Sequence, residues 1–288
     1  MDGDRRVLQP DHVSVTKGGL TISNAAKLTF EALDELAFAS CIGDDALQDI
    51  QAESYLPATL GPLVEFLLLM SVGLIPSAGL QWLRDKQIAS FLKAWCDGSP
   101  VWLSQSGHFG FIRTQRASDK WEITSVDFLM KVQRAAQETS KLPGTIPGQM
   151  AAAILELAGN IEEHSAAPET GIIAFRGTTG VFEFVVADRG IGILSSLRGS
   201  PEFLTLDDHG RAMELALTDG VSRFQDSRRG HGFRPIFQGL TNLNGYLRFR
   251  SGDHAIIMDG TTPSLATAQL AQKPYFTGFF TSVMCKAR

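Results

Sequence analysis

The order of patterns along the chain predicts an α+β fold, a two-layer α/β sandwich with helices on one face of a mixed sheet. Three observations point there. Two amphipathic helical stretches, 126–139 and one starting near Gln149, precede a hairpin signal. Two more helical stretches, 207–218 and 233–243, follow it, and the chain then runs into strands. Ahead of all this lies a mainly helical region with a small β meander. That change of period divides the chain into residues 1–125 and 126–288.

Each element has a local reason. His12-Val-Ser-Val-Thr16 alternates like a first strand. From Ser23 to about Trp95 the apolar residues recur at helical spacing, and Gly43, Pro57 and Pro76 punctuate the run. Leu60 to Ile75 is apolar on nearly all faces. It holds Pro62 and Glu65, stops at Pro76 and is short for a membrane span, so it reads as a buried core helix. Val101–Ser104, Phe109–Arg113 and Trp121–Thr124 read as the three strands of the meander. Phe128, Leu129, Val132 and Ala135 mark the next helix, and Lys141 to Gly148 breaks it. Gly171–Phe175 and Val181–Ala187 flank a Gly177-Thr-Thr-Gly180 turn, which makes a hairpin. Gly245–Ser251, Ala255–Met258 and Phe279–Met284 complete the strands.

The 288 residues, 44% hydrophobic and 20% charged, suit an ordinary globular protein. A net charge of −5 argues against a surface built to bind nucleic acid or anionic lipid. Cys41, Cys96 and Cys285 are far apart and form no CxxC pair, as expected for reduced thiols. The first residues are charged and no apolar signal core follows them, so the expected location is cytoplasmic.

Three polar and glycine-rich signatures stand out. In Glu156-Leu-Ala-Gly-Asn160-Ile-Glu-Glu-His164, the residues Glu156, Asn160 and His164 drift slowly around one helix face. Asn160 offers an amide oxygen suited to a hard cation, and Glu156 can polarise an attacking water. In Asp188-Arg-Gly190-Ile-Gly192-Ile193, a strand delivers a carboxylate into a glycine turn. That carboxylate can accept a hydrogen bond from an exocyclic amine, and the glycines let the backbone pass close to a flat ring. Arg229-Gly230-His231-Gly232-Phe233 opens a helix and presents free N–H groups to an anion, with Arg223, Arg228 and Arg234 nearby. No Gly-x4-Gly-Lys-Ser/Thr motif occurs, which excludes a P-loop.

In this order the signatures resemble the GHKL superfamily of ATPases, which includes gyrase, histidine kinases and mismatch-repair ATPases. Glu156-x3-Asn160 matches its N-box, Asp188-x-Gly190-x-Gly192 its first glycine box and Gly230-x-Gly232 its second. The spacing to His164, and Ala212 to Ser222, look most like the anti-sigma-factor serine-kinase branch. The resemblance implies a Bergerat ATP-binding fold over about 126–288, with ATP and Mg²⁺ as ligands. It implies that Asn160 ligates Mg²⁺, Glu156 activates the attacking group and Asp188 reads the adenine amine. Gly190, Gly192, Ile193, Arg229, Gly230, His231, Gly232 and Phe233 would line the lid and phosphate seat. No histidine phosphoacceptor box precedes the N-box. The family's Gly-Thr near the last strand has its nearest match in Thr277-Gly278-Phe279.

Three functions follow from these residues: a partner-regulated ATPase, a protein-serine kinase of the anti-sigma type, or a non-hydrolysing ATP sensor. A protein partner is expected for residues 1–125, and the resemblance allows a homodimer. No nucleic-acid or membrane partner is expected.

Overall fold

The computed structural model describes residues 15–16, 19–20, 26–42, 55–57, 59–75, 85–142, 144–217, 245–258 and 268–287. The front region contributes β1 (Val15–Thr16), β2 (Gly19–Leu20), β3 (Ala26–Leu28), α1 (Phe30–Ile42), β4 (Tyr55–Pro57), α2 (Leu60–Ser71) and α3 (Lys86–Cys96). Next come β5 (Val101–Leu103), β6 (Phe109–Arg113), α4 (Asp119–Ser140), α5 (Ile146–His164), β7 (Ile172–Thr178) and β8 (Val181–Asp188). Then follow α6 (Gly192–Leu197), α7 (His209–Ala216), β9 (Tyr246–Met258) and β10 (Gln269–Lys286). None of the described helices is long and apolar enough to cross a membrane.

The centre is a six-stranded sheet in the order β5-β6-β7-β8-β10-β9. Every adjacent pair in it is antiparallel, where a mixed sheet was expected. The β7–β8 pair closes through the expected tight turn, with Gly180 at φ +77 supplying the left-handed residue.

The sheet is covered on both faces, which corrects the two-layer expectation. Phe182, Phe184 and Val186 of β8 pack into one core with Phe128 and Val132 of α4 and Ile154, Leu157 and Ile161 of α5. Val185 and Ala187 point the other way, into a second core with Leu33 of α1, Leu63 and Leu67 of α2 and Phe91 of α3. Alternation along β8 therefore feeds two cores, and residues 182–188 are buried throughout. The all-round apolar α2 is explained by this packing. The expected meander strands β5 and β6 extend the same sheet rather than forming one of their own.

Trp121–Thr124 forms the first turn of α4, not a third meander strand. The Ser118 hydroxyl caps the helix by accepting from Trp121 N at 3.2 Å. Trp121 then falls on the same buried face as Phe128, Leu129 and Val132. Helical spacing outweighed the strand propensity of Trp-Glu-Ile-Thr. At the far end, β9 and β10 are longer than expected and absorb two register shifts near Phe276. The expected helix at 233–243 lies outside the described residues.

Charges are buried between the front helices and the sheet. Arg248 and Arg250, two apart on β9, share the face toward α1 and α2 and are wholly buried. Arg248 Nη2 lies 2.6 Å from Asp34 Oδ1, and Arg250 Nη1 lies 2.6 Å from Glu65 Oε1. Lys273 Nζ adds a 2.7 Å contact to Asp34, and Arg250 Nη2 donates to the Pro274 carbonyl at 2.7 Å. Burial alone would raise the Asp34 pKa, but Arg248 and Lys273 outweigh it and hold the carboxyl below its usual range. On the same face, Glu183 Oε1 accepts from Leu60 N at the start of α2, at 3.0 Å. Burial pushes that carboxyl up to about 7, although the hydrogen bond from Leu60, Arg176 and Lys286 oppose the rise.

Candidate functional site

Asp188 closes β8 and points to the face covered by α4 and α5, since it continues the alternation of Phe182, Phe184 and Val186. It is 4% exposed. Its Oδ1 accepts from Gly190 N at 2.7 Å. Burial pushes the carboxyl from its ordinary 3.8 to about 6, and the Gly190 bond pulls back against that rise. A carboxylate held this way at a strand end is desolvated and short of donors.

The glycine turn after Asp188 is fitted between three other segments. A side chain at Gly190 would overlap the Ser165 carbonyl at the C-terminal cap of α5. Ile191 N donates to that same carbonyl at 2.9 Å. Gly192 adopts φ +73, and a Cβ there would sit 2.9 Å from Ser251 Oγ and 3.1 Å from the Gly278 carbonyl. Ile193 N donates to Ser251 Oγ at 3.0 Å, and Ser251 Oγ donates to Gly278 O at 2.7 Å. Gly278, at φ +99, lies against the backbone of Asp188 and Arg189. Ser165, the residue that follows the first signature, thus meets the glycine turn of the second.

A residue that sequence reasoning missed completes this corner. Thr281 on β10 pairs with Val186, so it lies on the same sheet face as Asp188 and one step along the neighbouring strand. It is fully buried, and its hydroxyl has no hydrogen-bond partner among the described residues. A buried hydroxyl left unpaired costs about 1–3 kcal/mol, so it calls for an explanation such as a bound group. The nearest sequence match, Thr277, is exposed. The usable signal was the alternation Phe279, Thr281, Val283, Cys285, in which one polar residue interrupts a buried apolar row.

On α5, Ile154, Leu157, Ala158 and Ile161 are buried as expected, while Glu156 is exposed and Asn160 and His164 are half-buried. Among the described residues no group of three or more His, Cys, Asp or Glu side chains could hold a metal ion. Arg229, Gly230, His231, Gly232 and Phe233, with Arg223, Arg228 and Arg234, lie outside the described residues. Of the long lid expected from Ile193 to Arg229, residues 193–217 are described and hold α6 and α7. Leu194 and Leu197 of α6 pack with Ala212 of α7 in a small core of their own, and Met213 joins the main core.

Comparison with known families finds no family model that matches this chain, and no curated protein matches it.

Proposed function

We propose that this chain binds Mg²⁺-ATP in a Bergerat-type site of the GHKL kind and is an ATPase whose nucleotide state controls a partner protein. The observation that carries the reading is a pair of buried polar groups on the sheet face toward α4 and α5. Asp188 is a desolvated acceptor, Thr281 is a buried hydroxyl without a partner, and a turn of glycines lies beside them. An adenine edge answers both needs. Its amine donates to Asp188, and its ring nitrogen accepts from Thr281 directly or through a water. The docking of α5 on the turn supports placing the phosphates along Asn160 and Glu156. In this reading residues 126–288 form the ATP-binding part and residues 1–125 regulate it or bind the partner.

Asn160 would hold Mg²⁺ through its amide oxygen, and the ion would supply neutralisation of the phosphate charge. Glu156 orients the attacking group, whether a water or a partner's hydroxyl. Catalysis in either case is positioning plus charge stabilisation. The serine-kinase reading rests on the likeness of Glu156-x3-Asn160-x3-His164 to the anti-sigma branch, and it places the partner's hydroxyl where the water stands.

Glu156 is exposed and contributes nothing to the core, so its removal separates binding from chemistry. Glu156→Ala is expected to keep ATP affinity within about twofold and to lose turnover by roughly 10²–10⁴. Radiolabelled γ-phosphate released as free phosphate, or transferred to an added partner protein, reads both chemistries. Equal turnover in the variant would show that Glu156 is not the activating group. ATP binding with no turnover in either protein would favour the sensor.

A further inference from the structure

The outer face of α4 carries an apolar row that none of the described residues covers. Ile123, Val126 and Met130 are 72%, 54% and 65% exposed. Their spacing places them on one stripe, opposite the buried row of Trp121, Phe128, Val132 and Ala135. The hydrogen bond from Trp121 Nε1 to Glu162 sets α4 antiparallel to α5. Leu155, two turns before Glu162 and 54% exposed, therefore stands on the flank of α5 that adjoins this stripe. Scattered exposed apolar residues are normal, but a contiguous row on adjoining helices marks an interaction surface.

The charges at the ends of the row say what covers it. Asp119 continues the stripe at its N-terminal end and Arg134 at its C-terminal end. Both are exposed, and neither side chain has an ion-pair partner among the described residues. Asp119 stands as far before the middle of the stripe as Arg134 stands after it, and Ile123 mirrors Met130 in the same way. We propose that α4 is the contact by which two copies of this chain associate, antiparallel about a two-fold axis beside Val126. In that register Asp119 of each copy faces Arg134 of the other, and Ile123 faces Met130. A two-fold interface requires a surface complementary to itself, and this stripe is so only in the antiparallel sense. A parallel pairing would set Asp119 against Asp119. Each copy's α4 and α5 would then form half of a four-helix layer. The contact leaves Asp188 and the glycine turn on the far side of α5 untouched, so it is independent of what that site binds.

Sedimentation velocity on the full chain tests this. The wild type is expected to show a concentration-dependent dimer. Met130→Glu places a charge in the middle of the contact and is expected to give a monomer with an unchanged circular dichroism spectrum. Asp119→Arg alone is expected to weaken the dimer by about tenfold or more, since it sets like charges together. Asp119→Arg combined with Arg134→Asp restores the opposite-charge pairs and is expected to recover the wild-type constant to within about threefold. A wild type that stays monomeric at high concentration overturns the proposal. So does a dimer indifferent to Met130→Glu, or a double swap no tighter than the single variant.

Discussion

Asp188→Asn is expected to lower ATP affinity by on the order of 100-fold, the loss of a hydrogen bond to a charged acceptor at a buried site. The same change should make the nucleotide-free protein more stable near neutral pH. Burial raises the Asp188 carboxyl from 3.8 to about 6, so the folded state holds its proton more tightly than the unfolded chain does. The stability this contributes is full below about 4 and is lost as pH rises through about 6. Above that, the folded protein carries a penalised anion. Asparagine removes the penalty and still accepts from Gly190 N. The gain at pH 7.5 is expected to be roughly 1–3 kcal/mol, vanishing near pH 4. Urea denaturation of both proteins at the two pH values measures it. A gain that persists unchanged at pH 4 would show that Asp188 is not titrating in the folded state.

The second large effect falls on the opposite face. Glu65 is wholly buried and meets both Arg248 and Arg250. Glu65→Ala leaves two guanidinium groups in the protein interior with Asp34, shared with Lys273, as their one carboxylate among the described residues, and the Pro274 carbonyl beside Arg250. Removing one partner of a buried ion pair costs about 3–5 kcal/mol, because it leaves an uncompensated buried charge. The midpoint of denaturant unfolding should fall accordingly. A loss under about 1 kcal/mol would mean that water reaches the cluster and pays no attention to its burial. The lowered Asp34 pKa adds an acid dependence: its contribution is present above about 3.8 and fades as pH falls below its depressed value.

Much of the helix and strand order was legible because period is a local signal. The β7–β8 hairpin, α5 and α7 lie close to where spacing and turn residues put them. What was not legible was which face each element meets. Glu65 inside an apolar run reads as an interruption, yet it answers two arginines from β9, more than 180 residues away. Without knowing that pairing, α2 could only be read as a core helix of some separate unit. The second core is built the same way, by Val185 and Ala187 on the reverse of a strand whose front was easily recognised.

At the candidate site, Asp188 and its glycines were legible because a turn needs specific residues at fixed offsets. Their contact with Ser165, Ser251 and Gly278 was not, because it joins four segments distant in sequence. Thr281 was hidden by resemblance itself. Matching the Gly-Thr pair by adjacency selected the exposed Thr277, whereas strand register puts Thr281 opposite Val186, on the sheet face that Asp188 shares.

The central claim is that Asp188 and Thr281 form the reading edge for adenine, and calorimetric titration of the wild-type protein with Mg²⁺-ATP and with Mg²⁺-GTP tests it most directly. Adenine presents an amine to Asp188, while guanine presents a carbonyl oxygen that the carboxylate repels. ATP is expected to bind measurably and GTP at least about 100-fold more weakly. Equal affinity for the two nucleotides, or no binding of either, would contradict it.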